Sequence, residues 1–322
     1  MITNDGLTTI IQAVVQAATL CEAVRSDMNS LQKEAMKKSD KSPVTIADYG
    51  SQAIICKRLG EVFPEDPVVA EEDAKDLQLP SNKEQLEKIT KYVTGALGGD
   101  ATIEETNVLG WIDNGNGSPS KRFWTLDPID GTMGFVRGDQ YAICLALIVE
   151  GDIKLGITAC PALELDGSIG HLFIAEKGKG AVRRPLFTAD IDTPMVNIVV
   201  NPTCDSFIQS FEASHGNHTT QQAVAKAIHL ENVMFMDSQA KYCMVANGKA
   251  ALYLRLPRGS TYKENIWDHA SGAILVLEAG GKISDRDGKP LVFTSAKMTE
   301  NNGVVVSNGA IHDKVLSALK DY

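Results

Sequence analysis

Phe123-Trp124-Thr125-Leu126-Asp127-Pro128-Ile129-Asp130-Gly131-Thr132 runs from an apolar strand into carboxylates, a proline, a glycine and a hydroxyl. Phe123 to Leu126 reads as a buried strand, and the acidic residues follow where it ends. Pro128 is expected to start a turn that lets Asp127 and Asp130 aim at a common point, with the Ile129 carbonyl as a neutral oxygen beside them. Gly131 permits close approach of an anion, and the Thr132 hydroxyl can orient a water and cap a helix. The plain alternative is a turn followed by an N-cap.

Two other acidic features also sit at element ends. Glu71-Glu72-Asp73 follows the short strand Val68-Val69-Ala70, which Pro64 and Pro67 precede, and Asp268 stands at the start of a helical stretch over 267–279. Any one of these carboxylates alone reads as solvated surface; their combination does not. Such hard oxygen ligands suit Mg²⁺ or Mn²⁺, and no His/Cys grouping competes for zinc.

The 322 residues carry a formal net charge of -10, which argues against binding nucleic acid through clustered Lys and Arg. A small phosphorylated ligand is compatible with that charge if divalent ions lie between carboxylates and phosphate. A hydrophobic content of 43% supports a large core. The six cysteines are scattered without a C-x-x-C pair and read as reduced thiols. Leu7, Ile10, Ile11, Val14, Val15 and Ala18 recur at helical spacing without a basic leader, and the apolar run Tyr141 to Val149 is short of a membrane span of about 20 residues. A cytoplasmic protein with no membrane partner is expected.

Along the chain, Lys33 to Ser42 is polar and basic, Ile46 to Leu59 and 84–97 read as helices, and Gly115 to Ser120 as a loop. Phe123–Leu126, Tyr141–Glu150, Lys154–Cys160 and His171–Glu176 suggest an antiparallel meander. Beyond about residue 185 strands and helices alternate: Val196–Val200, 219–229, Val233–Met236, 238–247, Ala251–Leu256 and 267–279. This predicts an α+β half over 1–185 and an α/β half over 186–322. Within the latter, Ser238 is a candidate N-cap, and Arg255, opposite Leu254 and Leu256 by strand alternation, is either a solvated edge residue or an anion contact.

These residues carry a resemblance. Glu71-Glu72, Asp127 to Thr132, Trp267-Asp268-His269-Ala270 and Glu278-Ala279-Gly280-Gly281 resemble the signatures of the inositol monophosphatase superfamily of lithium-sensitive phosphatases. Ser42 to Tyr49 and Gly134 to Ala142 resemble its 3'(2'),5'-bisphosphate nucleotidase branch. The resemblance implies an αβαβα layered sandwich of the inositol monophosphatase and fructose-bisphosphatase type. It also implies metal ligation by Glu71, Asp127, the Ile129 carbonyl, Asp130 and Asp268, with two or three Mg²⁺ ions, and activation of water by Asp48, Glu71 and Thr132. Substrate contacts are implied for Gly131, Thr132, His218, Ser238, Lys241, Arg255 and Asp268, with His215 competing for the place of His218.

The implied reaction is hydrolysis of 3'-phosphoadenosine 5'-phosphate to AMP and phosphate, with 3'-phosphoadenosine 5'-phosphosulfate and inositol 1,4-bisphosphate as further substrates and Li⁺ and Ca²⁺ as inhibitors. Met133 departs from the branch, which often has Lys after D-G-T; a positive charge beside the carboxylates is thereby lost. An inositol monophosphatase or inositol polyphosphate 1-phosphatase is the alternative enzyme. A non-catalytic metal- or nucleotide-binding protein is the alternative of another class.

Overall fold

In the computed structural model, which describes residues 2–28, 35–37, 43–188, 193–211, 217–257 and 262–322, with 28, 35–37 and 43–45 as backbone alone, five layers stack in the order helix, sheet, helix, sheet, helix. The chain begins with α1 (Asn4–Met28), the paired β1 (Ala35–Lys37) and β2 (Pro43–Thr45), α2 (Ile46–Val62), β3 (Val68–Ala70), α3 (Lys83–Ala96) and α4 (Glu105–Asp113). There follow β4 (Arg122–Asp130), α5 (Thr132–Arg137), and the strands β5 (Ala142–Val149), β6 (Asp152–Leu165), β7 (Ser168–Glu176), β8 (Gly180–Pro185) and β9 (Val196–Ile198). The last third holds β10 (Ser206–Gln209), α6 (His218–Ala227), β11 (Asn232–Phe235), α7 (Ala240–Ala246), β12 (Leu252–Arg255), α8 (Ala270–Glu278), β13 (Lys282–Ser284), β14 (Val304–Ser307) and α9 (His312–Leu319).

Strand alternation builds the layers. On β5, Ile143, Leu145 and Leu147 pack with α1 and α2, while Ala142, Cys144, Ala146 and Ile148 face the layer of α7 and α8. On β12, Leu252 and Leu254 face α6 and α9, and Tyr253 faces α7 and α8. Both sheets are thus covered on both faces, which explains their nearly continuous apolar runs. By length and a mean hydropathy of 1.5, α1 could cross a membrane; its Ile10, Val14, Ala17 and Cys21 instead lie buried in the core shared with α2.

The expected meander is present as β4 to β7, and β8, not foreseen, continues it. Val196–Ile198, read from the sequence as the opening strand of the second half, pairs antiparallel with Ala181 to Arg183 of β8 and extends the seven-stranded sheet instead. Periodicity reports that a segment is extended, not which edge supplies its hydrogen bonds. Helices α4 and α9 were not foreseen. Ser42, His215 and most of Lys33–Ser42 lie outside the described residues.

Helix α8 joins the sheets. Ser271 Oγ lies 2.5 Å from Thr158 Oγ1 and 3.0 Å from the Ile157 carbonyl, which it donates to. At its far end Glu278 accepts the Gly178 and Gly180 N–H groups, both at 2.9 Å, at the β7–β8 turn. The Glu278-Ala279-Gly280-Gly281 signature therefore fastens a helix. Gly156 makes this approach possible, because a Cβ there would lie 2.4 Å from Ile274 Cγ2 and 2.8 Å from the Ser271 carbonyl oxygen. Gly156→Ala should cost about 1–3 kcal/mol by overpacking, measured as a lower denaturant midpoint; an unchanged midpoint would refute the tight contact.

Candidate active site

The acidic groups meet because of two features of register. β3 and β4 run parallel with Ala70 opposite Leu126, so the next residues, Glu71 and Asp127, emerge side by side. Asp127 and Asp130 do not flank a turn, as the proline suggested. They lie within β4, where Asp127 pairs with Cys144 and Asp130 with Ala142, one extra residue on the β4 side. Pro128 cannot donate to the ladder, and a bulge absorbs it. In a regular strand these two aspartates would face opposite ways; the extra residue returns them to one face.

Asp268 closes the group from the 3₁₀ turn Ile266–Asp268 that precedes α8. Carboxylate oxygens of Asp127, Asp130 and Asp268 lie within 4.8 Å of one another. These residues line a cleft of about 420 Å³ with Glu71, Ile129, Gly131 and Thr132, with Ser238 and Lys241 from the start of α7, and with Arg255 from β12.

The electrostatics fit a divalent cation. Burial raises the carboxyl of Asp127 well above its usual range, reinforced by the negative charges of Glu71, Asp130 and Asp268. Burial also lifts Asp268 to about 7, which His269 opposes and Asp130 reinforces. Asp130 is raised by burial too, against the opposing charges of Lys241 and Arg255. Asp127 Oδ1 is buried with no hydrogen-bond partner among the described residues, an arrangement costly for a carboxylate unless a cation meets it. Hard oxygens at this spacing, one of them buried and unpartnered among the described residues, are suited to a divalent metal.

Helix α2 and residue Gln239 hold these groups in place. Gln52 accepts the Glu72 N–H at 3.0 Å and donates to the Glu72 carbonyl, fixing the backbone next to Glu71. Ser51 donates to the Pro128 carbonyl at 2.9 Å, holding the bulge. Asp48, only 1% exposed, lies behind Thr132, whose hydroxyl is 3.4 Å from Asp48 Oδ1 and 3.2 Å from the Ile129 carbonyl. Across the cleft the Gln239 N–H donates to Asp130, while its side chain donates to the Trp267 carbonyl at 2.8 Å and accepts the Gly272 N–H at 3.0 Å. One residue thus ties Asp130 to the backbone on both sides of Asp268.

Two positions carry local roles different from those expected. Thr132 is the first residue of α5, and Gly131, at φ 86°, is the N-cap. A Cβ at Gly131 would come within 3.0 Å of Ser238 Cβ, so its glycine also lets the two halves approach. Ser238 precedes the Gln239 cap of α7 and adopts φ 66°; its hydroxyl accepts the Ala240 N–H at 3.2 Å.

Lys241 is buried, its Nζ 5.1 Å from the centre of the Tyr253 ring, and burial pulls its pKa down to about 8 against the pull of Asp130. Arg255 shares the Tyr253 face of β12 and its Nε donates to Glu264 at 3.1 Å. Met133 is an exposed part of the cleft lining. His218 opens α6 and is not among the cleft-lining residues.

The cleft also gathers Gln239, Tyr253, Tyr262, Asn265, His269 and Lys297, which sequence reasoning passed over. His269 had one available signal, its place directly after Asp268. Lys297 had none, because only an isolated bridge between Asn265 and Lys297 brings its strand segment alongside.

The model of the inositol monophosphatase family matches residues 5–322. A 3'(2'),5'-bisphosphate nucleotidase 2 of Candida albicans is 39% identical, with 96% of this chain and 94% of that protein covered. A 3'(2'),5'-bisphosphate nucleotidase of Oryza sativa is 40% identical over 96% of this chain and 92% of its own. Among solved structures, the IMPase of Thermotoga maritima superposes with a TM-score of 0.66 at 23% identity, covering 98% of this chain and 97% of that one. With its five layers and its carboxylates at the ends of β3 and β4 and ahead of α8, the chain belongs to the inositol monophosphatase family.

Proposed function

We propose that the chain is a Mg²⁺-dependent 3'(2'),5'-bisphosphate nucleotidase that hydrolyses the 3'-phosphate of 3'-phosphoadenosine 5'-phosphate, giving AMP and phosphate. The observation that carries this reading is the division of charge in the cleft. Glu71, Asp127 and Asp130 from the ends of β3 and β4 meet Asp268 from the turn before α8, and two cations line the same cleft, Lys241 from helix α7 and Arg255 from β12. A substrate with two phosphates fits such a site, one at the carboxylates through metal and one at the cations. The names of relatives about 40% identical over nearly the whole chain support the same substrate.

Glu71, Asp127, Asp130, Asp268 and the Ile129 carbonyl would hold two or three Mg²⁺ ions, with Mn²⁺ as a substitute. The chemistry such ions supply is cancellation of phosphate charge and a lowered pKa for water. Thr132 orients the attacking water: its hydroxyl hydrogen is directed to Asp48 or the Ile129 carbonyl, which leaves its oxygen free to accept from that water. Glu71, half-buried at the rim, takes the proton. Water adds to phosphorus as the ribose 3'-oxygen departs, and no covalent intermediate is required. Arg255 holds the 5'-phosphate through paired donors, with Lys241 and Ser238 beside it. Residues 1–185 would supply most metal ligands, and 186–322 Asp268 and the nucleotide contacts Ser238, Lys241 and Arg255; His218, off the cleft lining, is left out of that set.

The proposal includes inhibition by Li⁺ and by Ca²⁺, whose loose coordination suits this chemistry poorly. It places the enzyme in the cytoplasm, a placement supported by its six free thiols. Phosphate release in Mg²⁺ from 3'-phosphoadenosine 5'-phosphate, inositol monophosphate and inositol 1,4-bisphosphate, assayed side by side, is the test. The nucleotide should be turned over best and lithium should slow it; equal or faster release from inositol monophosphate would reverse the assignment.

A further inference from the structure

Arg255 is not simply a cation in a cleft; a buried carboxylate holds it. Glu264 is 6% exposed and lies between β12 and the turn that carries Asp268. Its two oxygens serve two different partners. Oε1 accepts from Arg255 Nε at 3.1 Å, and Oε2 lies 3.5 Å from His269 Nε2. The other ring nitrogen of His269 is 2.7 Å from the Tyr242 hydroxyl, so the imidazole is held from both sides. The Glu264 backbone is fixed as well, its carbonyl accepting the Met298 N–H at 2.8 Å.

A guanidinium has five N–H donors in a rigid fork. With Nε committed to Glu264, the remaining edge of Arg255 carries both terminal nitrogens, the pair that matches two oxygens of a phosphate, and the Tyr262 hydroxyl, also hydrogen-bonded to Arg255, stands beside it in the cleft lining. Removing the negative charge of Glu264 makes the cleft more positive, so a simple counter-charge and a positioning group predict opposite effects on an anionic substrate.

Resting on the nucleotidase reading above, we infer that Glu264 is a positioning residue for substrate selection: it fixes Arg255 so that its terminal nitrogens meet the phosphate that is not hydrolysed. Through His269 the same carboxylate sets the distance between that phosphate site and Asp268, and so selects substrates by the spacing of their two phosphates.

The test compares kcat/KM for 3'-phosphoadenosine 5'-phosphate with kcat/KM for adenosine 3'-phosphate, which shares the base and the scissile group but lacks the 5'-phosphate. Glu264→Ala should lower this ratio about tenfold, chiefly through KM for the bisphosphate. Glu264→Gln, which can still accept from Nε, should recover part of the loss, and it carries the test alone should the alanine variant not fold. Combined with Arg255→Ala, Glu264→Ala should lower the ratio no further than Arg255→Ala alone, since both remove one interaction. An unchanged or increased ratio in the Glu264 variants, beside a reduced one in Arg255→Ala, overturns the inference and leaves the nucleotidase reading standing. A flat ratio in Arg255→Ala places Arg255 outside the recognition of the second phosphate and removes the inference, while the nucleotidase reading itself stands or falls on the side-by-side phosphate release.

Discussion

Asp127→Asn is expected to lower phosphate release about a thousandfold, about 4 kcal/mol of transition-state stabilisation, while leaving the metal-free protein at least as stable as the wild type. The two halves of this expectation have one cause. Asp127 is buried beside Glu71, Asp130 and Asp268, with one oxygen unpartnered among the described residues. Without a cation, its charge is repelled by its neighbours and poorly solvated; an isosteric amide relieves both and can donate to the adjacent carboxylates. With a cation, the same charge is what binds it. The variant should therefore also lose most of the rise in melting temperature that Mg²⁺ gives the wild type. Near-normal turnover at saturating Mg²⁺, or a metal-free variant that unfolds well below the wild type, would refute the assignment of Asp127 as a metal ligand.

Arg255→Ala has the second largest expected effect: a rise of about a hundredfold in KM for the bisphosphorylated nucleotide, from the loss of two charge-assisted hydrogen bonds worth about 1.5 kcal/mol each. The loss should be much smaller for adenosine 3'-phosphate, because the carboxylates that handle the scissile group come from β3, β4 and the turn before α8, not from β12. Some stability is lost as well, since Glu264, held by Arg255 and His269 to a pKa of about 2 despite burial, keeps only the histidine. A steady-state comparison of the two nucleotides, with melting curves alongside, separates these effects. An equal loss on both substrates would place Arg255 outside the recognition of the second phosphate.

Much of the carboxylate wall was legible in the sequence, because strand ends and acidic residues coincide there. Val68 to Ala70 and Phe123 to Leu126 are short apolar strands, and whatever follows a buried strand must emerge at its edge. The alternation of Leu254, Arg255 and Leu256 likewise gave the face on which Arg255 lies. The bulge at Pro128 was not legible: a proline is equally compatible with a turn and with an interrupted ladder, and only the partner strand β5 distinguishes them. The sheet that β9 joins was hidden for the same reason.

The second set of cleft residues was hidden more deeply. Gln239 looks like an ordinary polar residue at a helix start, yet it bonds Asp130, Trp267 and Gly272, all far from it along the chain. Glu264 sits in a loop with no periodicity at all. Their roles arise from the contact of α7 and α8 between two sheets.

The sequence by itself determined that a meander of strands is followed by alternating strands and helices and that Asp127 to Thr132, Glu71 and Asp268 could gather around a divalent metal, because periodicity and element-end carboxylates are local properties. Only the tertiary structure decided that Asp127 and Asp130 share a face through a bulge and that Glu71 stands beside Asp127 through parallel register. It alone brought Arg255 under the control of Glu264, since hydrogen-bond partners between distant segments are chosen by packing and leave no mark on either segment alone.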